Sequence, residues 1–321
     1  MHLRDRLISS AILRLKRGSV RARRGILDLA RRFGSDALPE AGAINAEEND
    51  PIIIIGCHRS GTSLVRRMLD SHSRIACPAE TLFLEHLGAV VGDDYARRGL
   101  GAIGLNSGEV EEDLHQLVWR YFSHYTAKRG KKRWADKSPG TAHHLTGIDR
   151  ILRGRAKYLY VTRCGLDVSY SLGAARPVWQ QLGPYLRGSP DSFTAAAYYW
   201  RDMNEKCLAF AAEVPQRVGH LSYERLVAEP ELTMKQVFAF LGESWEPSIL
   251  DFNAHQHDSG LEDHIVSTTT RVENHQGKHK ALPTKLQEAL REIVRPTTIA
   301  IERWAQRNSR ELAAAPLSGT R

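Results

Sequence analysis

Apolar positions along the chain fall into two kinds of run. Short β-branched stretches read as buried strands, and longer stretches with apolar residues three and four apart read as helices. The first strand-like run is Ile52-Ile53-Ile54-Ile55, too short for a helix core and wholly apolar, as expected of a parallel strand covered on both faces. Leu64, Val65, Met68 and Leu69 follow with helical spacing. A short strand is expected to end at Cys77, with a helix after it over 81–97. Leu114, Leu117, Val118, Tyr121, Phe122 and Tyr125 mark the apolar side of a helix over 109–128. A further strand ends near Lys137, stopped by Pro139 and Gly140. Strands over 157–163 and 218–223 then alternate with helices over 167–182, 191–213 and 229–242, and a closing helix covers 282–304. Residues 267–281 are polar and aperiodic, a long irregular loop of the kind that often covers a ligand. Strand–helix alternation without an internal repeat predicts one α/β domain: a P-loop-type, mainly parallel sheet flanked by helices on both faces.

Charge is unevenly spread. The 321 residues carry 45 Lys/Arg against 37 Asp/Glu, a formal net charge of +8. Residues 1–34 hold ten of the bases and two of the acids, which leaves 35 of each in the remainder. The body is therefore neutral, which argues against nucleic acid or another polyanion as a partner of its surface. The segment 1–34 reads as a basic amphipathic arm, with Leu3, Leu7, Ile8, Ile12 and Leu15 among Arg4, Arg6, Arg14, Lys16 and Arg17. It is a candidate for peripheral contact with an anionic membrane or a partner. Residues 35–49 read as a linker, 50–306 as the α/β domain and 307–321 as a flexible tail. No stretch has the length of a membrane-spanning helix, and the apolar run 7–15 is too short and too interrupted for a secretory signal. Cys57, Cys77, Cys164 and Cys207 show neither close pairing nor metal-ligand spacing. They are expected to be reduced thiols of a cytoplasmic protein, and no metal is expected.

The chemistry gathers first in the loop after Ile55. Gly56 and Gly61 hold the glycine positions of the G-x-x-x-x-G-K-[ST] phosphate loop, and Ser63 holds the Ser/Thr position. Strand, loop and helix occur in the order that aims successive backbone N–H groups at one anion. The lysine position, however, is Thr62. A nucleoside triphosphate would lose its β/γ-phosphate partner there, so the loop is expected to hold one phosphate with Arg59 as a charged ligand.

Elsewhere, Glu80 beside a helix start fits either a helix-terminal charge or a general base. Lys137 stands at a strand's carboxyl end, the edge where open α/β sheets bind ligands. Arg163, ending a strand, and Ser171, in the next helix, form a candidate second phosphate site. His143 and His144, soon after Lys137, are rival bases. Two other classes compete: a P-loop nucleotide or small-molecule kinase, weakened by Thr62, and a non-catalytic membrane- or polyanion-binding module.

The segments 55–69, 159–172 and 221–242 together resemble the sulfotransferases that use 3′-phosphoadenosine 5′-phosphosulfate (PAPS). The similarity is to the branch of the tyrosylprotein sulfotransferases and their bacterial relatives, and it covers roughly 51–304. It rests on Arg59-Ser60-Gly61-Thr62-Ser63 paired with Arg163 and, after seven residues, Ser171. The resemblance implies that Arg59, Ser60, Gly61, Thr62 and Ser63 hold the 5′-phosphosulfate side of the co-substrate. It also implies that Arg163 and Ser171 bind its 3′-phosphate, and that Tyr223 and Lys278 contact it. Glu80 matches the family's base, and Lys137 and Ser267 match groups that stabilise the transferring sulfuryl. Three departures stand out: Cys57-His58 in place of an apolar residue and proline, Cys164-Gly165 after Arg163, and Thr81-Leu82-Phe83 where that branch carries a substrate-recognising arginine. The implied acceptor is a hydroxyl or amine of a carbohydrate, a lipid-linked molecule or a small molecule, with protein tyrosine behind them.

Overall fold

A computed structural model describes residues 50–175, 177–261, 266 and 268–314, all within one compact unit. The arm over 1–34, the linker over 35–49, Ser267 and the chain beyond 314 lie outside the described residues. The strands are β1 (Ile52–Ile55), β2 (Ile75–Ala76), β3 (Arg133–Lys137), β4 (Lys157–Thr162) and β5 (Val218–Ser222). They form a sheet of order β2-β3-β1-β4-β5 in which each neighbouring pair is parallel.

The isoleucine run explains why β1 is central. All four residues are fully buried. Ile53 and Ile55 join one hydrophobic core with Tyr158 and Tyr160, while Ile52 and Ile54 join a second with Leu159 and Val161. Period-two alternation thus feeds two cores, one on each face. The helices divide accordingly. α1 (Thr62–Asp70) packs on the second face. α2 (Phe83–Gly92), α4 (Ser107–Lys128), α5 (Leu145–Ile151), α6 (Gly165–Gly173) and α7 (Ser192–Glu213) bury residues on the first. α3 (Asp94–Ala102) buries none of its residues. α8 (Tyr223–Ala228) and α9 (Pro230–Leu241) return to the second face, and α10 (Thr284–Ala314) closes the first.

Three helix expectations need correction. The helix expected over 81–97 is two helices, because the Asp93 side chain accepts from the backbone N–H of Tyr95 (2.7 Å) and Ala96 (3.1 Å) and starts α3 afresh. The helix expected over 167–182 begins at Gly165 and ends at Gly173, packed so closely on Phe193 that a Cβ at Gly173 would lie 2.5 Å from its ring. Pro177 stands just beyond that end. The closing helix, expected over 282–304, runs on to Ala314, so the first eight residues of the expected flexible tail are helical. Among the described residues, no helix is long and apolar enough to cross a membrane.

Candidate functional site

Chain order makes a crevice at the carboxyl edge. After β1 the chain enters α1 on one face, and after β4 it enters α6 on the other. The neighbouring strands β1 and β4 therefore send their following helices apart, and an open α/β sheet binds ligands at such a divergence. A cleft of about 400 Å³ lies there, lined by Arg59, Gly61, Arg163, Ser171, Tyr223 and Lys278 among others.

The loop's backbone is forced by contact. Gly56 has φ 145°, and a Cβ there would meet the Val161 carbonyl oxygen at 2.3 Å. Gly61 has φ 92°, and a Cβ there would meet the Tyr223 ring at 2.5 Å. Arg59 itself takes φ 68°, which is uncommon for a side chain of its size. The start of α1 has no side-chain cap and no acid in its first turn. Its N–H groups and dipole are thereby left to an anion. The Ser60 hydroxyl is buried and has no hydrogen-bond partner among the described residues, an arrangement that normally needs an explanation such as a missing ligand.

Lys137 is the hub of the site. Register pairs it with Ile54, level with the end of β1. Its side chain is 1 % exposed, and its ammonium donates to Ser63 Oγ at 3.1 Å and forms an ion pair with Glu80 Oε1. The phosphate loop, the candidate base and the candidate cation thus meet at one point. The turn that carries Glu80 is clamped. Glu80 N donates to Leu261 O (2.9 Å), Thr81 Oγ1 to Asp136 Oδ1 (2.8 Å) and Leu82 N to Ser138 Oγ (3.2 Å), and Leu82 takes φ 56°. Asp136 is fully buried, and burial pushes its carboxyl up to about 6.

The second anion position differs in detail from expectation. Ser171 accepts from Arg59 Nε (3.0 Å), which ties the two expected phosphate sites together. Arg163 donates to the carbonyls of Arg59 (3.0 Å) and His275 (2.7 Å) and lies 4.3 Å from the Tyr223 ring centre. Its Nε is buried and has no hydrogen-bond partner among the described residues. Tyr223 bonds the irregular loop in turn, donating to Glu273 O at 3.2 Å. Lys278 is exposed on the cleft's rim. Thr62 is buried at the start of α1.

Several neighbours were not singled out in the sequence. Glu85 sits over Gly140, where a Cβ would lie 2.0 Å from its carboxylate, and burial pushes the Glu85 carboxyl up. His58 accepts from, or donates to, Tyr199 OH at 2.6 Å. Burial, reinforced by Lys137, His143 and Arg59, lowers its imidazole to about 3. Neither rival base hydrogen-bonds Lys137 or Glu80 among the described residues: His143 ends the helical turn Pro139–His143, and His144 precedes α5. The sequence signals here were the glycine at 140 and the departure at Cys57-His58, neither of which named a contact.

Residues 51–247, more than half of the chain, match the family model described as "Sulfotransferase family". The chain belongs to the sulfotransferase family. Protein-tyrosine sulfotransferase 2 of Gallus gallus is 27% identical over 204 residues, covering 62% of this chain and 53% of that protein. Protein-tyrosine sulfotransferase 1 of Danio rerio is also 27% identical over 204 residues, with 62% and 55% covered. The chain spans about half the length of these relatives. Among solved structures, the sulfotransferase domain from the curacin biosynthetic pathway aligns with a TM-score of 0.54 at 20% identity, covering 78% of this chain and 98% of that one. That likeness concerns the fold, and it agrees with the mainly parallel, doubly covered sheet.

Proposed function

We propose that the protein transfers a sulfuryl group from PAPS to a hydroxyl or amine of an acceptor, a carbohydrate or lipid-linked molecule first and a small molecule next. The observation that carries this reading is the meeting of Lys137 with Ser63 and Glu80 at the end of β1. Sulfuryl transfer, like phosphoryl transfer, needs little covalent help from the protein; positioning and charge stabilisation supply most of the rate. Lys137 supplies the positive charge at the transferring group and the leaving oxygen. Glu80 takes the acceptor's proton.

In this reading Arg59, Ser60, Gly61, Thr62 and Ser63 hold the 5′ side of the co-substrate. Arg163 and Ser171 hold its 3′-phosphate, Tyr223 and Lys278 flank it, and Ser267 joins Lys137 at the sulfuryl group. The unsatisfied Ser60 hydroxyl and Arg163 Nε fit a ligand with two separate anionic ends. The relatives' names mention protein tyrosine, but Thr81-Leu82-Phe83 stands where that branch carries its recognition arginine, so tyrosine ranks third. Cytoplasmic location, the 50–306 domain and surface contact by the basic arm belong to the same proposal.

The test is a labelled-sulfate transfer screen across these acceptor classes with PAPS supplied, alongside thermal melts. Ligand at a hundredfold excess over its Kd stabilises by about 2.7 kcal/mol. The 3′,5′-bisphosphate should therefore raise Tm clearly and ATP with Mg²⁺ little. Equal shifts from the two would favour a kinase instead.

A further inference from the structure

At the cleft's far rim, three side chains of different chemistry converge. Cys164 lies just ahead of α6, Asp167 in its first turn, and His279 in the helical turn Lys278–Ala281 of the irregular loop. The Cys164 sulfur, an Asp167 carboxylate oxygen and a His279 ring nitrogen all lie within 4.8 Å of one another. Thiol, imidazole and carboxylate are the donor set of zinc-type ions.

The Asp167–His279 half is already built. Asp167 is buried, and its carboxylate accepts from Gly277 N (2.8 Å), His279 N (3.3 Å) and His279 Nδ1 (2.8 Å). A carboxylate is thus fixed beside an imidazole. Cys164 lies nearer the surface than Cys57, Cys77 and Cys207, which are buried.

We propose that Cys164, Asp167 and His279 form a three-ligand site for a zinc-type transition-metal ion that rivets the Lys278 turn to the start of α6. Tetrahedral bonds of about 2.0–2.3 Å put donor atoms roughly 3.3–3.6 Å apart. The Asp167 oxygen and His279 nitrogen, at 2.8 Å, need to part by about half an ångström, and the sulfur, within 4.8 Å of both, needs to approach by at most about 1.3 Å. On binding, the thiol gives its proton to solvent, and the imidazole carries its proton on Nε2 so that Nδ1 offers its lone pair. Water takes the fourth position. Lys278 lies between two loop residues that bond Asp167, so the ion holds that lysine at the cleft's edge. The site can be read without any transfer assay.

The experiment is titration of the full chain with Co²⁺, read by the thiolate-to-cobalt charge-transfer absorption, followed by displacement with Zn²⁺. Mg²⁺ serves as the hard-ion control. Expected are one equivalent of thiolate-bound cobalt, its displacement by Zn²⁺ but not by Mg²⁺, and a rise in Tm with Zn²⁺. Cys164→Ser should abolish the charge-transfer band. His279→Asn, which keeps a donor toward Asp167 but no imidazole, should weaken cobalt binding at least tenfold while the metal-free Tm stays near wild type. Absence of the band in the wild-type chain, or a band of equal strength in both variants, would overturn the assignment.

Discussion

The Glu80–Lys137 pair makes a quantitative demand. Lys137 is 1 % exposed and Glu80 19 %, and the ammonium's other hydrogen-bond partner described is Ser63 Oγ at 3.1 Å. Removing one member of a buried pair costs about 3–5 kcal/mol, because the survivor stays charged and dry. Glu80 reaches solvent at one edge and Ser63 remains, so Glu80→Gln should cost less, about 2–3 kcal/mol. Lys137→Met leaves a carboxylate that can hydrate through that edge and should cost about 1–2 kcal/mol. The double variant leaves no orphaned charge. Its loss should fall short of the sum by about 1.5–3 kcal/mol, the scale of a charge-assisted hydrogen bond. Urea denaturation of the four proteins measures this coupling. In single turnover with an identified acceptor, each single variant should lose about a hundredfold to ten-thousandfold in rate. The double variant should lose far less than the product, since both act on one transfer step. Stabilities additive to within about 0.5 kcal/mol would mean that the two groups do not meet, and the case for Glu80 as the base would fall with the contact.

Two further outcomes are expected. Gly61→Ala combines a positive φ of 92° with a Cβ 2.5 Å from the Tyr223 ring. Left-handed backbone costs about 1–2 kcal/mol and overpacking about 1–3, so urea denaturation should show a loss of roughly 2–5 kcal/mol; an unchanged midpoint would refute the close packing of loop on ring. Asp136 holds its proton in the folded state up to about pH 6, against 3.8 ordinarily, because of burial. The folded state therefore binds more protons between those values, and this group's contribution falls as pH rises through about 6. Asp136→Asn, which keeps an acceptor for Thr81 and never ionises, should gain on wild type by up to about 3 kcal/mol between pH 4 and 7.5. Parallel stability–pH curves would rule this out.

Local signals carried the fold. Four isoleucines, two loop glycines and the helical spacing that follows them gave β1, the loop and α1 nearly to the residue. The cores then needed only period-two alternation. What stayed hidden depends on distant partners. Arg66 looks like a surface residue of α1, yet it is fully buried and donates to Pro78 O (3.0 Å) and, across 192 residues, to Asp258 O (3.4 Å). Asp70 bonds Cys77 N (2.9 Å) and His257 (2.6 Å), the latter 187 residues away. Glu80 was nameable as a candidate from its motif position, but its pairing with Leu261 and the Asp136 clamp on its turn were not. Helix ends failed where one side chain or one close contact decided them, at Asp93 and at Gly173.

The missing loop lysine and Lys137 answer one another. In a Walker loop the cation rises from the helix start and reaches the outer phosphates of a triphosphate. Here Thr62 fills that place, buried, and the ammonium comes instead from the end of β3, one strand away. It still touches the loop's Ser63, but it approaches from the side on which Glu80 sits. A charge so placed lies between the loop's anion and the carboxylate, where a transferred group would pass from donor to acceptor. The pair holds the site together in the free protein, and an acceptor hydroxyl entering beside Glu80 must compete with the ammonium for the carboxylate. In the proposed reaction both partners are released toward their roles only when donor and acceptor are present: Lys137 toward developing negative charge, Glu80 toward the acceptor's proton. On that proposal, the contact that pairs Glu80 with Lys137 also favours reaction with acceptor over exposure of a naked base to water.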